Sequence, residues 1–140
     1  MKCFKLLPDC VLIGSNQSPT SSGKQSKAKS FSYFYLLLPD GSTLGNEIIH
    51  PGQITDFEVL EIQGKIYVVS TCTDSVLRVF EVDKFNRNFV LTMTKQIDEV
   101  TWPTKVLDIG NNTLLCGLEN GSFYAWNYES DKTRIITGYT

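Results

Sequence analysis

Two stretches of this chain overlay without a gap. Tyr67-Val68-Val69-Ser70-Thr71-Cys72-Thr73-Asp74-Ser75-Val76-Leu77-Arg78-Val79-Phe80-Glu81-Val82 runs parallel to Thr113-Leu114-Leu115-Cys116-Gly117-Leu118-Glu119-Asn120-Gly121-Ser122-Phe123-Tyr124-Ala125-Trp126-Asn127-Tyr128, each residue 46 positions after its counterpart. Apolar falls on apolar, and the turn-forming pair Asp74-Ser75 falls on Asn120-Gly121. Upstream, Val59-Leu60-Glu61-Ile62 matches Val106-Leu107-Asp108-Ile109, with one residue lost in the intervening turn. A further step of 46 back from Phe80 reaches Phe34, inside the aromatic run at 31–35. A fixed period of this size constrains the fold more than any other feature, because each unit must then be one supersecondary module that buries its apolar faces against its neighbours.

Within each unit the pattern is that of strands. Short apolar or alternating runs lie at 10–13, 31–38, 54–62, 65–72, 76–82, 89–94, 106–109, 113–118, 122–128 and 134–137. They are rich in Val, Ile, Tyr, Phe, Trp and Thr, which suit a pleated, half-buried surface. Between them stand Pro39-Asp40-Gly41, Gln63-Gly64-Lys65, Gly110-Asn111-Asn112 and Asn120-Gly121. These residues tolerate the positive φ that tight hairpins demand. Helical periodicity is almost absent, so the expected class is all-β. Four short strands per unit of mid-forties length is the signature of a β-propeller blade. The expectation is a partial β-propeller of about three four-stranded blades: blade 1 at about 4–49, blade 2 at about 50–97 and blade 3 at about 98–140. Residues 15–30 hold no large apolar side chain and read as a flexible insertion between the second and third strands of blade 1. Three blades do not close a ring, so the free faces are expected to meet the rest of a propeller or other copies of the chain.

Composition narrows the function. Net charge is −2 at neutral pH and the pI is about 5.3, which disfavours nucleic-acid binding through this segment. No apolar run is long enough for a membrane helix, and Pro8-Asp9 interrupts the short apolar stretch that a signal peptide would need. The expectation is therefore a soluble intracellular protein, cytoplasmic or nuclear. Cys3, Cys10, Cys72 and Cys116 have irregular spacing and His50 is the one histidine. This set does not make a zinc site, and the thiols read as buried and reduced. No cofactor or metal is expected.

The segment from Ser70 to Glu81 resembles the core of a WD repeat, whose pattern reads roughly S-G-S-x-D-x-T-I-x-V-W-D. Ser70, Asp74, Leu77 and Val79 fit it, while Phe80-Glu81 and then Trp126-Asn127 stand where the family has Trp-Asp. Residues 48–55, Ile-Ile-His-Pro-Gly-Gln-Ile-Thr, resemble the opening of a repeat, and residues 136–140 resemble the next opening with Tyr in place of His. The resemblance covers 46–140 well and 10–45 weakly. It implies a WD-type structural network of His50, Ser70, Asp74, Phe80, Asn120 and Trp126, with Phe80 lacking the indole donor that normally closes the chain. A fainter resemblance, around 75–84 and 112–126, is to proteins that place CCCH zinc fingers ahead of a WD propeller. It would imply an RNA-associated role, although no such finger lies in these residues.

No motif carries chemistry. His50 with Asp74 and a serine can be written as a catalytic set, but no nucleophile elbow accompanies it. Gly23-Lys24 fails the phosphate-loop pattern, because Ser18 and Gln25 occupy the required positions. Lys24, Lys27 and Lys29 form a small basic cluster in the 15–30 insertion. Trp102 beside Pro103, with Gln53 and Glu119 on the same loop face, is the candidate surface for a protein partner. The function expected is a non-catalytic scaffold for protein–protein interaction, an enzyme on a propeller scaffold being the remote alternative.

Overall fold

The computed structural model of the chain describes residues 2–7, 10–17, 31–83, 88–97 and 101–137. The described residues are all-β. Twelve strands follow in order: β1 (Lys2–Leu7), β2 (Cys10–Gln17), β3 (Phe31–Leu37), β4 (Thr43–His50), β5 (Ile54–Ile62), β6 (Lys65–Cys72), β7 (Val76–Asp83), β8 (Asn88–Gln96), β9 (Pro103–Gly110), β10 (Thr113–Leu118), β11 (Phe123–Asn127) and β12 (Lys132–Ile136). They form three four-stranded antiparallel sheets, β1–β4, β5–β8 and β9–β12, each a meander in which every strand pairs with its neighbour in sequence. No helix among the described residues is long and apolar enough to cross a membrane.

The hairpins follow from turn chemistry. Gln63 and Gly64 join β5 to β6 with φ of 52° and 81°, and Asn111 and Asn112 join β9 to β10 with φ of 54° and 59°. Two successive positive φ values twist the chain in the sense of the flanking strands. At the turns after β3, β6 and β10 one device recurs. The side-chain oxygen of Asp40, Asp74 or Asn120 accepts the N–H two residues on, at 2.9, 3.1 and 3.0 Å.

The sheets stack in chain order. β5 lies beside β1 on one side and β9 on the other, and β8 lies beside β4. Burial reports the stacking directly. The stretch Val68–Cys72 of β6 is buried without alternation, as expected of a strand covered on both faces. β10 alternates half-buried and buried, the mark of one covered face, and β12 is exposed throughout. Phe57, Val68, Phe80 and Phe89 form the core on the first sheet's side of the middle sheet, with Leu38 packed against it. Leu60, Val69, Leu77 and Val79 meet Val106, Leu114, Cys116 and Trp126 between the middle and third sheets.

The second junction is also hydrogen-bonded. β9 pairs with β10 along one edge only, so its other edge would leave backbone groups bare. Asp56 Oδ2 accepts the Val106 N–H at 3.0 Å and Glu58 Oε2 accepts the Asp108 N–H at 2.9 Å. Thr55 Oγ1 donates to the Pro103 carbonyl at 2.8 Å. Side chains of one inner strand thus saturate the open edge of the next, where an unpaired group would cost about 1–3 kcal/mol.

Three expectations are revised. Residues 15–17 belong to β2, where Ser15, Asn16 and Gln17 pair with Tyr33, Ser32 and Phe31; the remainder of the insertion, including Lys24, Lys27 and Lys29, lies outside the described residues. β1 and β4 are strands that the apolar pattern does not reveal. The repeat alignment of the inner strands also shifts. Ser70 stands opposite Phe57, and Cys116, its counterpart 46 residues on, stands opposite Val106. The counterpart of Phe57 is therefore Val106, 49 residues on, where the matching Val-Leu-acid-Ile strings suggest 47. The β5–β6 hairpin extends further than the β9–β10 hairpin, and a bulge at Ile109 absorbs part of the difference.

Candidate functional site

The residues implied to form one network divide into separate arrangements. His50, at the end of β4, is fully buried and its Nε2 lies 2.7 Å from Ser70 Oγ. The imidazole sits against Phe80, ring centroids 6.1 Å apart at 48°, and Phe80 in turn meets Phe89 edge-on at 6.4 Å. This is a polar pair sealed between two sheets. With no exposed surface it supports packing and touches no solute.

Asp74 sits in the β6–β7 turn. Its carboxylate is gripped by Arg78, Nη2 to Oδ2 at 2.5 Å and Nη1 to Oδ1 at 3.2 Å. Partial burial pushes the Asp74 carboxyl up, but the two-pronged bond and the charge of Arg78, with help from the Cys72 thiol, hold it below its ordinary value. Arg78 is absent from the repeat pattern and was not legible as a partner.

Asn120 shapes an exposed turn. Trp126 is buried in the third sheet, and its indole N–H donates to Asp131 Oδ1 at 2.9 Å. The same oxygen accepts Lys95 Nζ at 3.0 Å, which joins β8 to the β11–β12 turn. Asp131 is therefore the partner that the sequence pattern missed. Its positive φ of 62° within the turn is what aims it back at the strand.

Gln53, Trp102 and Glu119 come together at one end of the sheets through backbone straps. The Thr73 N–H donates to the Gln53 carbonyl at 2.9 Å, and the Gln53 N–H donates to Thr73 Oγ1 at 3.0 Å. The Glu119 N–H donates to the Trp102 carbonyl at 2.9 Å. Each inner strand is thus strapped, just before it begins, to the hairpin turn of its own sheet. The Ser75 hydroxyl donates to the Thr101 carbonyl and ties the two straps together. On this supported edge Gln53, Glu119, Asn120 and Gly121 are exposed, and Trp102 keeps 37% of its surface in solvent.

The first strap depends on Gly52. A Cβ there would lie 2.5 Å from Thr73 Oγ1 and 3.3 Å from Cys72 Sγ. Thr73 cannot swing its hydroxyl away without releasing the Gln53 N–H. Gly52→Ala is expected to lower stability by about 1–3 kcal/mol in urea unfolding, and to cost less in a Thr73→Ala background. Equal losses in the two backgrounds would show that the clash is not the cause.

Cys72 and Cys116 are free and buried. Burial raises the Cys72 thiol above its ordinary value and pushes Cys116 up to about 12. Both stay protonated at neutral pH and are weak nucleophiles. The side chains of Cys3 and Cys10 lie outside those described. Among the described residues no group of three or more His, Cys, Asp or Glu side chains is placed to hold a metal ion. No family model matches the chain, and no curated protein sequence matches it.

Proposed function

We propose that this chain is a non-catalytic protein–protein interaction scaffold, a partial β-propeller of about three WD-type blades, acting as a soluble intracellular protein. Three meander sheets in chain order, with their inner strands side by side and a 46-residue period between them, support the propeller reading. The observation that carries the function is the strap joining Trp102 to Glu119. It fixes a half-exposed aromatic and an acidic side chain on a rigid edge beside Gln53, which is how binding hot spots are built: a large side chain held at little entropic cost.

The test is partner capture by a chain carrying a photo-crosslinking residue at position 119, with Trp102 intact or replaced by alanine. A hot-spot tryptophan contributes about 2 kcal/mol or more, so Trp102→Ala is expected to weaken capture roughly thirtyfold while circular dichroism stays unchanged. The captured partner is expected to be returned chemically unaltered. Undiminished capture by a folded Trp102→Ala chain would overturn this reading.

A further inference from the structure

The second strap sets two exposed side chains against each other. β9 and β10 pair Pro103 with Leu118, and the bond from the Glu119 N–H to the Trp102 carbonyl carries that ladder one rung further. Residues directly opposite in an antiparallel ladder project to the same side, with Cβ atoms about 5 Å apart. Burial agrees with this placement: Pro103 and Leu118 are both buried, and Trp102 and Glu119 are both exposed. The rung is also held firmly. Three successive carbonyls, those of Thr101, Trp102 and Pro103, accept bonds from Ser75 Oγ, the Glu119 N–H and Thr55 Oγ1.

The repeat places this rung on an open rim. Its counterpart in the middle sheet is Gln53 with Thr73, joined by the same backbone bond, and Thr73 stands 46 residues before Glu119. The third sheet is seated on the middle sheet, yet Gln53 is exposed and Thr73 is only half-buried. A rung at this height therefore keeps its access to solvent even beside a seated sheet.

The chemistry of the pair selects a cation. The face of an indole is the negative side of its quadrupole and attracts cations within about 6 Å. The carboxylate opposite adds a full negative charge, and the two together disfavour an acidic ligand. Elsewhere the fold supplies its carboxylates with cations: Arg78 grips Asp74, Lys95 reaches Asp131 and Lys65 reaches Glu81. Among the described residues Glu119 has no ion-pair partner. Lys105, the one cation of β9 and β10, stands two rungs away opposite Gly117. A guanidinium fits the pair better than an ammonium. Its plane stacks on an aromatic face while the N–H groups at its rim stay available to a carboxylate. The net charge of −2 also favours the approach of a cationic partner.

We propose that the Trp102–Glu119 rung receives an arginine side chain of a protein partner. The guanidinium lies on the Trp102 indole and donates its N–H groups to the Glu119 carboxylate. This assignment rests on the scaffold reading above and names the chemistry of its partner.

The experiment uses the immobilised full chain and synthetic peptide pools with identical randomised flanks, differing only in a central arginine, lysine, citrulline or glutamate. Citrulline keeps the shape of arginine and lacks its charge. The arginine pool is expected to be retained best, with the citrulline pool roughly tenfold weaker and the glutamate pool weakest. Glu119→Gln is expected to lose the same factor for arginine and to bind citrulline as before. Should Trp102→Ala lose its strand spectrum, the unaltered chain is titrated with the retained arginine peptides while its indole N–H resonances are followed. Trp102 is expected to shift and the buried Trp126 to stay. Equal retention of the arginine and citrulline or arginine and lysine pools would overturn the proposal. So would an arginine preference that survives Glu119→Gln, or a titration that leaves the Trp102 indole unmoved. Irreversible crosslinking from position 119 captures a partner even with the carboxylate replaced. Trp102-dependent capture without any arginine preference would therefore overturn the cation and leave the scaffold reading standing.

Discussion

Trp126→Ala is expected to lower stability by about 3–5 kcal/mol, much of the 5–15 kcal/mol that holds a typical domain folded. Trp126 is buried among Leu114, Cys116 and Tyr124 and meets Tyr128 edge-on at 6.3 Å. It also stands between Leu114 and Thr133 in the ladder, so its removal leaves a void at the middle of the face that the third sheet turns to the middle sheet. Trp126→Phe separates the ring from its donor. It fills most of the void but gives nothing to Asp131, so a smaller loss is expected, with a distinct pH signature. The indole N–H first, and Lys95 second, hold the Asp131 carboxyl below its ordinary value of 3.8. A carboxyl lowered in the fold adds stability above its ordinary value and loses that contribution as pH falls through the lowered one. The gap between wild type and Trp126→Phe in urea unfolding should therefore be wider at about pH 7 than at about pH 3. A Trp126→Ala chain within about 0.5 kcal/mol of wild type would mean that the third sheet is not held by this cluster.

How much of this was legible depends on what sets each feature. β5, β6 and β10 were read with their observed bounds, because their side chains are sorted by burial and two-residue turns punctuate them. β4 was hidden by Gly45-Asn46-Glu47, which breaks the apolar pattern; in the ladder the pairing skips between Phe34 and Leu36 over the same stretch. A bulge resets the phase of the alternation, and a pattern read in one phase loses the strand. β1 is interrupted by Lys2 and Lys5, and its pairing with β2 is a property of the hairpin more than of its own composition. The inner-strand offset was misread for a related reason. Val59–Ile62 and Val106–Ile109 are similar strings, but hairpin length, not string similarity, decides which residue stands opposite which. At the candidate site, Trp102, Gln53 and Glu119 were legible as loop residues between strands. The straps that join them rest on backbone bonds, which leave no trace in residue identity, helped by the Thr73 and Ser75 hydroxyls, which no repeat pattern marks. Asp131 and Arg78 escaped because nothing in a repeat pattern marks the acid that a strand's indole will find, or the cation that a turn's carboxylate will find.

The second large effect is expected at the sealed polar pair. His50→Ala removes an imidazole packed on Phe80 and strips the Ser70 hydroxyl of its 2.7 Å partner. The void and the orphaned hydroxyl together are expected to cost about 3–5 kcal/mol. His50→Leu keeps most of the volume, so the orphaned hydroxyl dominates and the loss should fall to about 1–3 kcal/mol. Ser70→Ala makes the converse orphan on the ring and should cost a similar amount. If the pair is held by its shared bond, the His50→Leu, Ser70→Ala double variant is more stable than the two single losses summed, by at least about 0.5 kcal/mol. Additive losses would show instead that each group is held by other neighbours. The cycle also bears on the histidine's role. A structural histidine loses stability when replaced and recovers part of it when Ser70 is replaced as well, with partner capture at Trp102 intact. A histidine working on a substrate would be replaceable by leucine at little cost in folding, since an active-site group is positioned by the fold and seldom supports it. A His50→Leu chain as stable as wild type would therefore take the pair out of the structural role that its burial between two sheets assigns it.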